Sequence, residues 1–225
     1  MTPQQTIAIA YKLSPDVRFE KEGHRYFVGD REYSSVSSIL DAQGLTVWLN
    51  RLSPEQREAA AIRGSYVHKA CELADRGKLN RATVDPQIAG YLEAYEQWKA
   101  ETDFRAVLIE QPLASGPLGY AGTPDRIGYV GERIVIVDLK TGGAYPSVRL
   151  QLAAYGALLA NVAVPLRWVL YVTKDGKFRL RQFPAEEYAT DVAAFAAMAR
   201  AEQWKRRYLY VEESNPKEDD PQESR

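Results

Sequence analysis

The chain has 225 residues, of which 45% are hydrophobic, so it can form one domain with a substantial core. Its apolar runs fall short of the roughly 20 residues that a membrane-spanning helix needs, and its start lacks the basic residues of a secretory signal. We therefore expect a cytoplasmic protein with no membrane partner. Because Cys71 is the only cysteine, an internal disulfide and a four-cysteine zinc or iron–sulfur site are excluded within one subunit.

The charge is unevenly distributed along the sequence. Residues 212–225 contain six acidic and two basic side chains, a net charge of −4, whereas the whole chain carries −1. Residues 1–211 therefore carry +3, a balance that permits a nucleic-acid partner without requiring one. We expect one domain over residues 1–211, beginning with a β-hairpin, and a disordered acidic extension over residues 212–225.

The first hundred residues predict a β-hairpin and two helices. Residues 24–28 and 31–35 read as strands joined by a Gly-Asp turn. The Ser-Pro-Glu-Gln stretch at 53–56 supplies an N-cap, a proline at the first helical position and a capping glutamine, so a helix is predicted to begin there. An interruption of this helix at Gly64 is left open. A second helix is predicted over residues 86–100, which carry a broad apolar stripe.

After residue 103 the apolar period changes from helical to extended. Three strands are predicted first, followed by a helix, a two-stranded hairpin and a long alanine-rich helix. The predicted bounds are 104–110, 119–130 and 133–140 for the strands, 147–161 for the helix, 167–173 and 177–183 for the hairpin, and 185–206 for the last helix. This order predicts an α/β or α+β domain in which helices flank a mixed β-sheet.

The strand over residues 133–140 is strongly apolar but ends with two charged side chains, Asp138 and Lys140. Alternate residues of a strand share one face, so at about 3.3 Å per residue these two lie roughly 6–7 Å apart on the same side. If the preceding strand pairs antiparallel with this one, Asp125 lies near Asp138 at the same end. Two adjacent carboxylates repel each other unless one is protonated or a cation lies between them. Because oxygen donors predominate here, Mg²⁺ or Mn²⁺ is the expected cation.

These residues also carry a resemblance to a known family. Pro124-Asp125, followed after twelve residues by Asp138, Leu139 and Lys140, resembles the signature of the PD-(D/E)xK nucleases. Two further elements resemble its RecB-like exonuclease branch, in the same order and at similar spacing. They are Gln151-Leu-Ala-Ala-Tyr155, which is similar to a Q-x-x-x-Y element, and Arg63-Gly-Ser-Tyr-Val-His68, which is similar to a helical histidine motif.

The resemblance implies a restriction-endonuclease-like fold and a metal centre. It implies that Asp125 and Asp138 are metal ligands and that the backbone carbonyl of Leu139 is a third. His68 would complete the metal shell or contact the scissile phosphate from the helix side. Glu110, at the end of the strand before residue 119, is an additional candidate ligand.

The resemblance also implies roles for three further side chains. Lys140 would orient the attacking water and stabilise the charge that develops on the phosphate. Gln151 and Tyr155 lie one helical turn apart on one face, and would organise the site and bind the DNA backbone. All three are therefore candidates for the catalytic group, together with the two aspartates.

Each of these residues also has an ordinary structural explanation. Asp125 could be a turn residue, Asp138 and Lys140 a surface ion pair, and His68 a partner of Glu72 within its helix. The nuclease hypothesis is favoured because all of these explanations would have to hold together in the order of the motif. Two aromatic residues, Trp48 and Tyr66, could stack on bases, although packing in the core is favoured.

The sequence therefore predicts a divalent-metal-dependent DNA nuclease, more an exonuclease than an endonuclease, acting in recombination, repair or phage DNA processing. No phosphate-binding G-x-x-x-x-G-K-[S/T] loop is present, so unwinding would come from a helicase or a recombination protein. Two alternatives remain open at this stage. One is a non-catalytic DNA-binding or assembly module with a nuclease fold, and the other is a structure-specific endonuclease or an RNA-directed relative.

Overall fold

The computed structural model describes residues 16–46, 52–143, 145–159 and 164–209. In chain order its elements are β1 Val17–Glu20, β2 Arg25–Val28, β3 Arg31–Ser35, α1 Val36–Ala42, α2 Pro54–Asp75, α3 Pro86–Thr102, β4 Arg105–Ile109, β5 Leu113–Ser115, β6 Tyr120–Gly122, β7 Arg126–Val130, β8 Arg133–Lys140, α4 Val148–Leu158, β9 Leu166–Val172, β10 Phe178–Phe183 and α5 Tyr188–Tyr208. Short 3₁₀ turns occupy Glu22–His24 and Arg81–Thr83.

The central sheet has the strand order β10-β9-β8-β7-β4 and lies between two pairs of helices. Strands β8 and β9 are parallel, and the other neighbours are antiparallel. Alternate residues of β8 face opposite cores, as the period of a strand requires. Val135, Val137 and Leu139 pack with α2 and α3, whereas Ile136 packs with α4 and α5. The sheet is therefore covered on both faces, and the mixed sheet flanked by helices that the sequence predicts is confirmed.

A second, smaller sheet has the strand order β1-β2-β3-β6-β5. It contains the predicted hairpin, as β2 and β3, and it is mixed because β3 and β6 pair in parallel. Its own small core includes Tyr26, Tyr33 and Ala121. The hydroxyl of Tyr120 in β6 donates a hydrogen bond to the carbonyl of Ala154 in α4 at 2.9 Å, which ties this sheet to the central layers.

Helix α2 begins where the sequence predicts, because its capping box is complete. The Ser53 hydroxyl accepts from the backbone N–H of Gln56, and the Gln56 side chain accepts from the Ser53 N–H. The helix continues through Gly64 to Asp75 without the interruption left open above. At this position a Cβ would lie 3.8 Å from Thr141 Oγ1, so the loop after β8 passes close to the helix.

Three features differ from the sequence-based prediction. The single strand expected over residues 119–130 is two strands, β6 and β7, separated by a segment with Pro124, which has no N–H for a sheet ladder. Strands β1 and β5 and helix α1 are not predicted by periodicity because each is short. Helix α4 ends at Leu158 rather than near residue 161, which lies outside the described residues, as does the acidic segment 212–225. Among the described residues, no helix is both long and apolar enough to cross a membrane.

Candidate active site

Asp138 and Lys140 lie at the carboxyl end of β8, the middle strand of the central sheet. Lys140 Nζ donates to Asp138 Oδ1 at 3.0 Å and lies 2.8 Å from Oδ2, a contact with ion-pair but not hydrogen-bond geometry. Asp138 is only 1% exposed. The apolar run of β8 thus ends in a buried ion pair, and the side chain of Leu139 points to the opposite face.

Asp125 reaches the same strand end from β7. The antiparallel register pairs Arg126 with Val137, so the residue before β7 lies beside the residue after Val137. Asp125 Oδ2 accepts a hydrogen bond from the backbone N–H of Leu139 at 2.7 Å. The structure therefore brings Asp125 beside the Asp138–Lys140 pair, with one of its carboxylate oxygens held by the backbone.

His68, in α2, lies against two carboxylates. Its Nδ1 is 3.5 Å from Glu110 Oε1 and 3.6 Å from Asp125 Oδ1, and one donor atom from each of the three residues falls within 4.8 Å of the others. Its Nε2 lies 3.0 Å from the carbonyl oxygen of Leu139. An Nε2–H that donates to this carbonyl leaves Nδ1 facing the two carboxylates, where its lone pair can bind a cation.

The donor set suits a divalent cation, and its three residues are among the predicted ligands. His68, Glu110 and Asp125 form the group of converging donor atoms, whereas Asp138 is paired with Lys140. The Leu139 carbonyl contacts the His68 imidazole. One nitrogen and several carboxylate oxygens are ligands that Mg²⁺ and Mn²⁺ accept.

The charges of the site shift its pKa values in opposing ways. Burial alone lowers the pKa of His68, but Asp125 and Glu110 outweigh it and raise this pKa to about 9. Burial raises the pKa of Asp138 while Lys140 opposes the shift. Burial lowers the pKa of Lys140, yet Asp138 and Asp125 raise it well above its ordinary value. Without a cation, both His68 and Lys140 are therefore positively charged at neutral pH.

Gln151 and Tyr155 form a hydrogen-bonded pair on α4. Gln151 Nε2 donates to the Tyr155 hydroxyl at 3.1 Å, and burial raises the pKa of Tyr155, so it is a neutral phenol at neutral pH. The Tyr155 ring packs against the backbone of β6, since a Cβ on Gly122 would lie 2.7 Å from its Cε1. A larger residue at position 122 would displace the ring.

A sequence match decides which family the chain belongs to. Residues 43–222 match the family described as the PD-(D/E)XK nuclease superfamily, which is most of the chain. The chain belongs to this nuclease superfamily. The family predicted from the motif is thus confirmed, and so is the restriction-endonuclease-like fold. A search among curated proteins gives no match.

Solved structures of two exonucleases are similar to this nuclease. One is a protein of Eubacterium rectale described as a "putative exonuclease", with 16% identity over 77% of this chain and 80% of that chain and a TM-score of 0.47. The other is an alkaline exonuclease from Laribacter hongkongensis, with 18% identity over 80% of this chain and 94% of that chain and a TM-score of 0.34.

A cleft of about 690 Å³ opens beside His68 and Lys140, between α2 and the loop after β8. Two arginines of α2, Arg57 and Arg63, line it together with Gly142 of the loop. Arg63 Nε is buried and has no hydrogen-bond partner among the described residues. The candidate site therefore opens into a basic cleft, to which Arg57, Arg63 and Lys140 contribute.

Sequence reasoning missed the buried residues behind this site. Arg126 and Asp75 form a salt bridge of 2.6 Å beneath the converging donor atoms. The sequence did contain a signal for this salt bridge, because Arg126 is a charged residue at the start of the otherwise apolar strand β7. Tyr66 is 64% exposed, so the prediction that it packs in the core is wrong, and Trp48 lies outside the described residues.

Proposed function

We propose that this nuclease hydrolyses phosphodiester bonds in DNA with the help of Mg²⁺ or Mn²⁺. The convergence of His68, Glu110 and Asp125 beside the buried Asp138–Lys140 pair carries the proposal. These donors would hold the cation, which when bound lowers the pKa of a water and offsets charge on the phosphate. Under this proposal Asp138 is a further acidic group of the centre and the Leu139 carbonyl orients His68.

The residues around the donors would position the substrate. The Lys140 ammonium group is held by Asp138 at the edge of the cleft, where it can orient water and attract a phosphate oxygen. Arg57 and Arg63 would bind phosphates of the DNA strand along the cleft. Gln151 and Tyr155 would hold the backbone from the α4 side.

We further propose a RecB-like exonuclease, because Gln151 and Tyr155 occur together in the arrangement of that branch and hydrogen-bond each other. Its setting would be recombination, repair or phage DNA processing in the cytoplasm, with a helicase or recombination protein as partner. The catalytic unit would be residues 1–211.

The test is a cleavage assay on end-labelled linear duplex, single-stranded DNA and covalently closed circles, with and without Mn²⁺ or Mg²⁺. Wild type would be compared with Lys140→Ala and Asp125→Ala, and with Lys69→Ala and Glu101→Ala as exposed controls of matched charge. We expect metal-dependent degradation from ends that both site variants lose and both control variants keep.

Other outcomes of this assay would redirect the proposal. Cutting of closed circles would identify an endonuclease instead of an exonuclease. If wild type left every substrate intact but retarded DNA in a gel, the chain would be a DNA-binding module. Cleavage that persists in Asp125→Ala would contradict the assigned metal centre.

A further inference from the structure

We infer that Arg126 is a positioning residue of this metal centre, acting through Glu110 and Asp125 without touching the substrate. The inference rests on the proposed function, because it concerns the residues proposed to hold the cation. Arg126 follows Asp125 directly in the sequence, and its side chain is buried beneath the converging donor atoms, at 0% exposure. It lies too deep to reach a substrate.

One guanidinium nitrogen joins two of the proposed ligand residues. Arg126 Nη1 donates to Glu110 Oε1 at 3.0 Å and to the backbone carbonyl of Asp125 at 2.6 Å. The same nitrogen therefore fixes the carboxylate of one ligand and the main chain of the other. The distance between these two groups is set by the geometry of a single planar guanidinium.

The other side of the guanidinium is anchored in the helical layer. Arg126 Nε donates to Asp75 Oδ2 at 2.6 Å, and the Asp75 side chain is fully buried at the end of α2. Asp75 also accepts from the hydroxyl of Tyr95 at 2.6 Å and from Lys99 Nζ at 2.5 Å, both on α3. Arg126 is thus held by two helices and transmits their position to the site.

Glu110 is a residue that needs such a support. It follows β4 directly and has a φ of +48°, a left-handed conformation that is costly for a residue with a side chain. Its N–H donates to the Asp125 carbonyl at 3.1 Å, the carbonyl that also accepts from Arg126. Its side chain remains partly exposed, so without Arg126 the carboxylate would be free to turn toward solvent.

Burying the charge of Arg126 carries a desolvation cost that an apolar residue would not have. Apolar residues of similar volume often stabilise a protein as well as a buried ion pair or better. The placement of Arg126 is explained if its value lies in holding Glu110 and Asp125 near each other, since neighbouring carboxylates repel each other.

The experiment is a double-mutant cycle between Arg126→Lys and Glu110→Gln, read by Mn²⁺ binding in titration calorimetry and by the Mn²⁺ dependence of cleavage. Lysine keeps the charge, but its single nitrogen cannot reach Asp75, Glu110 and Asp125 together. We expect Arg126→Lys to weaken Mn²⁺ binding about 10- to 100-fold, the usual effect of losing a group that orients a ligand. Its cleavage rate at saturating Mn²⁺ should approach that of wild type.

The cycle separates positioning from general destabilisation. Because Arg126 acts in part through Glu110, the double variant should lose less Mn²⁺ affinity than the sum of the two single losses, whereas independent effects would add. Unchanged Mn²⁺ binding in folded Arg126→Lys protein, or additive losses, would overturn the inference. If Arg126→Lys does not fold, Asp75→Asn replaces it in the cycle, with a smaller loss expected and the same criteria.

Asp125→Ala in the same titration tests the metal centre separately from the positioning role of Arg126. Mn²⁺ binding that survives Asp125→Ala would contradict the metal centre itself. Loss of binding in Asp125→Ala together with wild-type binding in Arg126→Lys would leave the metal centre standing and remove only the positioning role.

Discussion

Two clusters of buried charges lie on opposite faces of the central sheet, and they are built differently. The Arg126 cluster, on the side of α2 and α3, contains Arg126, Asp75 and Glu110, and it continues into Asp125. The Arg167 cluster joins β9, α4 and α5, and consists of Arg167, Arg149, Asp191 and Glu187.

The Arg167 cluster is electrically balanced. Asp191 accepts from Arg167 Nη1 at 2.5 Å and from Arg149 Nε at 2.7 Å, while Arg149 also pairs with Glu187 at 2.8 Å. Arg167 Nη2 donates to the carbonyl of Pro184, whereas Arg167 Nε has no hydrogen-bond partner among the described residues. Two arginines and two carboxylates thus balance each other's charge and connect three elements.

The Arg126 cluster instead opens onto a cleft. With Asp125 and the nearby Asp138, it places four acidic side chains near three permanently basic ones, which are Arg126, Lys99 and Lys140. The fourth positive charge is that of His68, whose Nδ1 faces Glu110 and Asp125 and can give up its proton to a cation. The comparison teaches that a titratable positive charge at a cleft, more than burial, distinguishes a cation site from a structural ion pair.

Replacing Lys140, which lies beside the Arg126 cluster at the cleft, gives the largest expected effect. Lys140→Met should reduce the cleavage rate about 10²- to 10³-fold, because it removes a preorganised charge from the reacting phosphate. The fold should remain, since Asp138 can take up a proton when its partner is lost. Rates at saturating metal and thermal melting would be measured together, with Lys69→Met as control. Equal losses of activity in both variants would break the assignment.

Replacing Arg167 should act on stability instead of chemistry. Arg167→Met leaves Asp191 buried with only one of its arginine partners, so we expect a loss near the lower end of about 3–5 kcal/mol in the free energy of unfolding. Mn²⁺ affinity of the folded protein should not change. Denaturant unfolding and calorimetry measure the two quantities, and the exposed Arg105→Met should cost no more than about 0.5 kcal/mol. A lower Mn²⁺ affinity in Arg167→Met than in wild type would show that the two clusters are coupled.

Local patterns explain which parts of the fold the sequence could predict. The apolar run and the charged end of residues 133–140 predict β8, and the capping residues at 53–56 predict the start of α2. Strand β5 has three residues and exists through its pairing with β6, which no local pattern encodes. The parallel contact between β3 and β6 joins segments about 85 residues apart, so it was equally beyond reach.

The same limit applies to the site. Asp138 and Lys140 could be placed on one face because they are two residues apart in one strand. Which donor atoms converge could not be predicted, since Glu110 and His68 come from separate elements and meet only in the folded chain. Arg126 escaped notice because its partners, including Asp75, are distant in sequence.

A smaller effect is expected at the Gln151–Tyr155 pair. Tyr155→Phe removes the hydroxyl that accepts from Gln151 and keeps the ring against Gly122. One hydrogen bond contributes about 0.5–1.5 kcal/mol, so cleavage should fall about 2- to 10-fold if the pair holds the substrate backbone. Tyr188→Phe, beside Arg167, is the matched control and should leave the rate unchanged. If both variants cleave like wild type, the pair only packs the helix.

A pH dependence of stability is also expected, and it is confined to the open cluster. In metal-free protein the pKa of His68 is raised to about 9, above its unfolded value of about 6.5, because Asp125 and Glu110 outweigh the burial that lowers it. The charged imidazole therefore adds stability in full below pH 6.5, and this contribution is lost as the pH rises through about 9. In the presence of EDTA, wild type should have a higher free energy of unfolding than His68→Gln at pH 6. This difference should become smaller as the pH is raised to 9.5.

The Arg167 cluster supplies the internal control for that measurement. Arginine keeps its proton over this whole range, so the arginine of the Arg167→Met comparison contributes no pH dependence of its own. An advantage over His68→Gln that stays constant from pH 6 to pH 9.5 would mean that His68 is neutral between its carboxylates. The site would then already hold its imidazole in the form that binds a cation, and no proton would have to leave when the metal enters.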